Sequence, residues 1–279
     1  MDYKTILVHL DRSARRSERL ELAFTLADRY DAHLVGLFAL SAVRIPSYVR
    51  ADTSATLIAV QNRQRTEEAR EAEAAFRAAT ARHRGVKAEW RVSQADALGA
   101  VQLNARYSDL VILGQRERDR EEDAGIAPEF IDEIVLSCGR PVLLIPYAGR
   151  FPDSGKRALV AWNASAEASR AIADALPLLA RAESVNVVVF ETGRVGDHGE
   201  EPGADAALYL ARHGVKATVS RYGSPDVDIG SQILSRAADM SADLVVMGAY
   251  GHSRMRELVL GGATRTILES MTAPVLMSR

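Results

Sequence analysis

Residues 243–279 read DLVVMGAYGHSRMRELVLGGATRTILESMTAPVLMSR. A short apolar run at 244–247, rich in Val, has the composition of a strand buried on both faces. Gly248 ends it, Gly251 follows three residues later, and Gly261-Gly262 comes after a further spacer. A helix is predicted over 263–271, and Pro274 leads into a last strand at 275–277. Glycines allow backbone N–H groups to converge on an anion with no Cβ in the way. The second glycine pair stands at a predicted helix start, where unpaired N–H groups and the helix dipole favour negative charge. His252, Ser253, Arg254, Thr264 and Arg265 add donors nearby. The pattern therefore reads as strand, phosphate-binding loop, helix, strand. The alternative is that the glycines serve tight turns only.

Working outward, the chain repeats itself. YKTILVHLDRSARRSERLELAFTLADRYDAHLVGLFAL at 3–40 parallels GKRALVAWNASAEASRAIADALPLLARAESVNVVVFET at 155–192. GVKAEWRVSQAD at 85–96 parallels GVKATVSRYGSPD at 214–226, SDLVILG at 108–114 parallels ADLVVMG at 242–248, and GRPVLLIPY at 139–147 parallels TAPVLMSR at 272–279. Four matched blocks in one order indicate duplication of a unit of about 130–150 residues. Each unit alternates Val/Ile/Leu runs with helical stretches in the order β-α-β-α-β-α-β-α-β. The fold class expected is therefore α/β, as two tandem doubly wound, Rossmann-like units. Each has a five-stranded parallel sheet with helices on both faces. The polar linker AGRFPDSGK at 148–156 divides the chain into domains 1–147 and 156–279.

Locally, Ser13 and Ser165 are read as N-caps of the helices after the first strand of each unit, and Ser224-Pro225 as the start of another. Pro177 should kink or shorten a helix running to Arg181. A long helix over 54–84, rich in Ala, Glu, Gln and Arg, is a solvated amphipathic element or a partner surface. The loop at 193–203 carries Asp197, His198, Glu200 and Glu201, but without metal-ligand spacing it reads as solvated.

At 279 residues, 47% apolar and 26% charged, the chain has the composition of a globular protein with a sizeable core. A net charge of −2 gives no general attraction to nucleic acid or to anionic membrane. One cysteine, Cys138, permits no internal disulfide and reads as a packed small residue. No signal peptide or membrane span is evident, and cytoplasmic residence is the expectation. The six histidines show no metal pairing, no G-x-S-x-G elbow is present, and no catalytic residue is assigned.

The spacing of Gly248, Gly251 and Gly261 resembles the G-x2-G-x9-G-(S/T) nucleotide motif of the universal stress protein family, and the resemblance extends over nearly the whole chain as two tandem domains. It departs at Gly262, where the family has Ser or Thr; Thr264 is the nearest substitute. It implies a stress-response protein binding ATP or a related adenine nucleotide, with or without Mg, in its second domain. By that resemblance the site comprises Ala161, Trp162 and Asn163 after the first strand, Phe190 after the second, and Met247, Gly248, Gly251, His252, Ser253, Arg254, Gly261, Gly262, Ala263 and Thr264 around the loop. Asn163 stands where an acidic ribose acceptor is usual. Trp162 and Phe190 are candidates to stack on adenine, or are core residues.

The first domain keeps Asp11 but has Glu117 where the second glycine belongs, and Pro128-Glu129 at its helix start. Carboxylates there repel a triphosphate, so this domain is expected not to bind nucleotide. Family members commonly dimerise through the last strand. The resemblance thus implies self-association, either as an intramolecular pseudo-dimer of the two domains or as a homodimer, together with an unidentified protein partner. The alternatives are a nucleotide-independent scaffold and a weak ATPase of the wider adenine-nucleotide α-hydrolase-like class, with slow hydrolysis or self-phosphorylation.

Overall fold

The structure, a computed structural model, describes residues 2–13, 15–40, 51–116, 129–191, 203–223, 228–251 and 262–279, with the backbone alone over 51–58. The first half runs β1 (Thr5–Leu10), α1 (Arg16–Tyr30), β2 (His33–Ala39), α2 (Ala51–Arg82), β3 (Ala88–Ser93), α3 (Ala97–Ala105), β4 (Leu110–Gly114), α4 (Phe130–Ser137) and β5 (Val142–Ile145). The second half runs β6 (Arg157–Trp162), α5 (Ala166–Leu179), β7 (Ser184–Glu191), α6 (Ala204–Arg212), β8 (Ala217–Gly223), α7 (Ile229–Asp239), β9 (Leu244–Gly248), α8 (Gly262–Ser270) and β10 (Val275–Ser278). The alternation of strand and helix, and the two five-stranded parallel sets, are as the repeats imply.

The two sets merge into one ten-stranded sheet ordered β3-β2-β1-β4-β5-β10-β9-β6-β7-β8. Neighbours within each half are parallel. The halves join antiparallel, with Val275 opposite Leu144, Leu276 opposite Leu143 and Met277 opposite Val142. The last strand is therefore not an exposed edge, as its place in an isolated unit suggests, but lies at the middle of the sheet. The pairing satisfies backbone groups that would otherwise offer a template for another chain.

Burial follows position. All residues of β5 and β10 are buried, whereas the outer strands β3 and β8 have only half-buried and exposed positions. One apolar cluster packs α1, α2, α5 and α6 on one face, with Leu20, Phe24, Phe76, Ile172 and Leu210; the other packs α3, α4, α7 and α8, with Val101, Ile134, Ile233 and Ile267. Each fully buried Leu, Ile or Phe contributes about 1.5–3 kcal/mol relative to exposure. Across the seam, Tyr3 donates its hydroxyl to the Asp174 carbonyl at 2.7 Å, Tyr30 to that of Pro177 at 2.9 Å, and Gln115 Nε2 to that of Leu268 at 2.9 Å.

Several local expectations change. Ser165 caps α5 by accepting from the Ala168 N–H at 3.1 Å. Ser13, however, accepts from Arg15 N–H at 3.0 Å and forms a turn before α1, which has no side-chain cap. The next-to-last helix is capped by Asp228, accepting from Ser231 N–H at 2.9 Å, rather than by Ser224; residues 224–227 lie outside the described set. Pro177 sits inside α5, which ends at Leu179. So late in the helix the proline removes a single ladder bond, and its carbonyl is used by Tyr30. Cys138 is buried, and burial raises its thiol pKa. Among the described residues, no helix is long and apolar enough to cross a membrane. The candidate loop at 193–203 falls outside them except for Gly203.

Candidate functional site

Parallel strands place their carboxyl ends along one rim of the sheet, and the crevice forms where connections leave in opposite directions. In the second half that point lies between β6 and β9, which are adjacent in the sheet but are followed by helices on opposite faces. A cavity of about 260 Å³ opens there, lined by Ala161, Trp162, Asn163, Phe190, Ile229, Ile233, Met247, Gly248, Tyr250, Gly251, Gly262, Ala263 and Thr264. The positions named from the sequence at the ends of β6, β7 and β9 and at the start of α8 thus share one cavity. His252, Ser253, Arg254 and Gly261 lie outside the described residues.

The cavity is shaped by close backbone approaches. A Cβ on Gly248 would fall 2.4 Å from the Ala168 nitrogen and 2.6 Å from the Glu167 carbonyl carbon, so glycine lets the start of α5 press against the end of β9. Asn163 is exposed and accepts the Ser165 N–H at 3.2 Å. Ala161 packs with the cavity-side core. Trp162, the next residue along the strand, packs against the cluster on the opposite face and only borders the cavity. Phe190 lies on the cavity side, its ring 6.0 Å from that of Tyr222. Of the two aromatic candidates, Phe190 is therefore the one whose face adjoins the cavity core.

Three contributors escape the sequence reading. Ile229 and Ile233 line the cavity from successive turns of α7, an i, i+4 apolar pair whose period was legible but whose direction was not. Tyr250 is buried at a backbone φ of +59°, a conformation costly for a bulky residue by about 1–3 kcal/mol. Its N–H lies 3.4 Å from the Thr264 hydroxyl, and its own hydroxyl donates to Asp132 on α4 of the first half. Burial raises the Asp132 pKa, and the nearby Glu129 charge adds to the rise; the Tyr250 hydroxyl acts against it. One wall of the second-half cavity is thereby fixed to the first half.

The corresponding region of the first half is filled. His9 and Ala161 are the fifth residues of their strands, and counting back from Pro141 and Pro274 matches Phe130 to Ala263. His9 and Phe130 are both buried, with ring centroids 5.2 Å apart. Arg19, whose counterpart by spacing is Ala171, donates to the His9 carbonyl at 2.7 Å and pairs with Asp11 at 3.1 Å. Its guanidinium lies where a Cβ on Gly114 would be, 2.0 Å away. Burial lowers the His9 pKa to about 4, with Asp11 and Arg19 opposing each other. Burial would raise the Asp11 carboxyl, but the charge of Arg19 and the bonds from Arg19 and Ser13 bring it below its usual value. His9 and Phe130 thus stand at the positions where Ala161 and Ala263 line the cavity of the second half. Among the described residues, no cluster of three or more His, Cys, Asp or Glu forms a metal site.

The model of the Universal stress protein family matches residues 2–146 and again 155–279. A curated relative, Universal stress protein Slr1230 of Synechocystis sp., is 29% identical over 179 residues, covering 61% of this chain and 58% of that protein. The chain thus spans less than two thirds of that relative's length. Among solved structures, a universal stress protein from Archaeoglobus fulgidus aligns with a TM-score of 0.72 at 15% identity, covering 99% of this chain and 96% of that one. A functionally unknown protein, PA1789 from Pseudomonas aeruginosa, aligns at 0.59 and 16% identity, covering 99% and 92%. With the family model matched twice across nearly its full length, the chain belongs to the universal stress protein family, as a tandem of two such domains.

Proposed function

We propose that this protein is a stress-response binding protein that takes one adenine nucleotide per chain, in its second domain. The observation carrying this reading is the contrast between the two halves. The crevice at the strand ends is open where Ala161 and Ala263 stand and filled where His9 and Phe130 stand. An apolar wall made by Phe190, Ile229, Ile233 and Met247 suits a planar base, and the glycine turns at the other end suit a polar, phosphate-bearing group. Bound ligand would contact Tyr250 and so bear on α4 of the first domain through Asp132, which supports a regulatory rather than a catalytic role.

The test is mass spectrometry of ligand released from the purified protein, paired with calorimetric titration of adenine nucleotides. It is run on the wild-type chain and on Ala161→His/Ala263→Phe, which copies the first half into the second. One adenine compound per chain, lost in the variant, supports the reading. Two per chain, or binding untouched by the variant, places the ligand elsewhere. No binding at millimolar concentration leaves the scaffold reading, which the hydroxyl-free Gly262 and an Asn163 already accepting the Ser165 N–H favour.

A further inference from the structure

We infer that Tyr222, which stands behind the cavity wall, is a positioning residue for the ligand: it holds the Phe190 ring as the platform on which a planar base lies. The inference rests on the adenine-nucleotide reading above and adds to it how the base is held.

Phe190 and Tyr222 are register partners in the parallel pairing of β7 with β8. Both belong to the apolar layer on the cavity side of the sheet, Phe190 buried and Tyr222 partly so. Their ring centroids are 6.0 Å apart with the planes inclined at 32°, within the range in which aromatic pairs attract. Phe190 lines the cavity, and β8 lies on the side of β7 away from β6 and β9. The two rings therefore form a row running outward from the cavity. A third group closes the row. The Arg236 guanidinium of α7 has its Cζ 4.4 Å from the Tyr222 ring centre, a cation–π distance, and its Nη1 donates to Asp239 at 2.8 Å. The same helix puts Ile229 and Ile233 on the cavity wall.

The internal repeat shows that the sheet itself does not require this pair. Phe190 is the seventh residue of β7 and Tyr222 the sixth of β8. The seventh residue of β2 is Ala39 and the sixth of β3 is Ser93, and these two are likewise register partners. The first half thus has rings inside its crevice, at His9 and Phe130, and none at the outer pair. The second half has the reverse: Ala161 and Ala263 at the cavity, and two rings beside it. A flat ligand gains from such a pair because a ring already fixed in place loses little rotamer freedom when the ligand lands on it. An aromatic contact of this kind is worth about two- to tenfold in an equilibrium constant.

The experiment is calorimetric titration of the full chain with AMP and ATP, paired with NMR of the adenine H2 and H8 protons of the bound nucleotide. It is run on wild type, Tyr222→Phe, Tyr222→Leu, Phe190→Leu and the double variant Phe190→Leu/Tyr222→Leu. Tyr222 is only partly buried and near the end of an outer strand, so leucine is accommodated there, and thermal melts check this. In wild type the adenine protons should shift upfield, as they do over a ring face. Tyr222→Phe keeps the ring pair and should bind within about twofold of wild type. Tyr222→Leu should weaken binding about threefold to tenfold and reduce the upfield shift. Because Tyr222 acts through Phe190, the double variant should lose no more than Phe190→Leu alone, which a general loosening of the sheet edge would not produce. Binding by Tyr222→Leu as tight as wild type overturns the inference, as do additive losses in the double variant or a wild-type complex with no upfield shift. Tyr222→Phe binding as weakly as Tyr222→Leu also overturns it, since the hydroxyl and not the ring would then be at work. If neither nucleotide binds wild type, the adenine reading itself fails and this inference falls with it, an outcome distinct from binding that ignores Tyr222.

Discussion

Arg19→Ala tests the account of the filled first-half site most directly. The guanidinium is buried, its side chain 3% exposed, against an Asp11 side chain that is 9% exposed. Two of its contacts reach Asp11, at 3.1 and 3.3 Å, and one reaches the His9 carbonyl at 2.7 Å. Removing one partner of a buried pair leaves an uncompensated charge and costs about 3–5 kcal/mol. At about 2–4 °C per kcal/mol for domains of 150–250 residues, Tm should fall by roughly 10 °C. The second half shows how the loss is avoided, for Ala171 and Asn163 occupy the matching positions with no charge to bury. Arg19→Ala/Asp11→Asn should therefore lie within about 2 kcal/mol of wild type, a coupling measurable as a double-mutant cycle. The assay is thermal and urea unfolding at neutral pH by circular dichroism. The sign with pH also follows. The folded-state pKa of Asp11 is depressed, so its contribution is present above the ordinary carboxylate range and disappears as pH falls through the folded value. Arg19→Ala should weaken or reverse that acid-limb dependence. A loss below about 1 kcal/mol for Arg19→Ala, or a double variant no more stable than the single one, would refute the reasoning.

His9 titrates in a separate window. Its folded-state pKa is depressed to about 4 by burial, so the unfolded chain takes up a proton first as pH falls below about 6.5, and stability declines between there and about pH 4. His9→Gln should flatten Tm against pH across that range. Tyr250→Phe removes the hydroxyl bond to Asp132 and should cost about 1–2 kcal/mol by urea unfolding, while further raising the Asp132 pKa, to be followed by carboxyl NMR. Leu276→Pro disrupts the centre of the β5–β10 join; calorimetry should then show two unfolding transitions, against one expected for the wild type.

How much of this was legible in the sequence depended on the range of the interaction. The doubling of the fold was open to view because duplicated strands keep both their apolar runs and their order. So was the meeting of strand ends on one rim, since the ends of parallel strands are local features: Ala161, Phe190, Met247 and Gly248 line one cavity because each ends or nearly ends its strand. Cap assignments failed at Ser13 and Ser224 because several Ser and Asp residues near a helix start compete, and tertiary placement of the first turn chooses among them. Trp162 shows the limit of a strand-end argument, because a shift of one residue along a strand moves a ring to the other face of the sheet.

The sequence by itself determined two α/β units, the order of strands and helices along each and the rim on which the strand ends gather, because periodicity, glycine spacing and repetition are properties of neighbouring residues. Only the tertiary structure decided that the last strand pairs with Val142–Ile145 at the centre of one sheet, that His9, Phe130 and Arg19 fill one crevice, and that Tyr250 reaches Asp132 across the seam. Those contacts join residues more than a hundred positions apart, or set side-chain volume against space left by another element. No pattern within a single stretch encodes which of them forms.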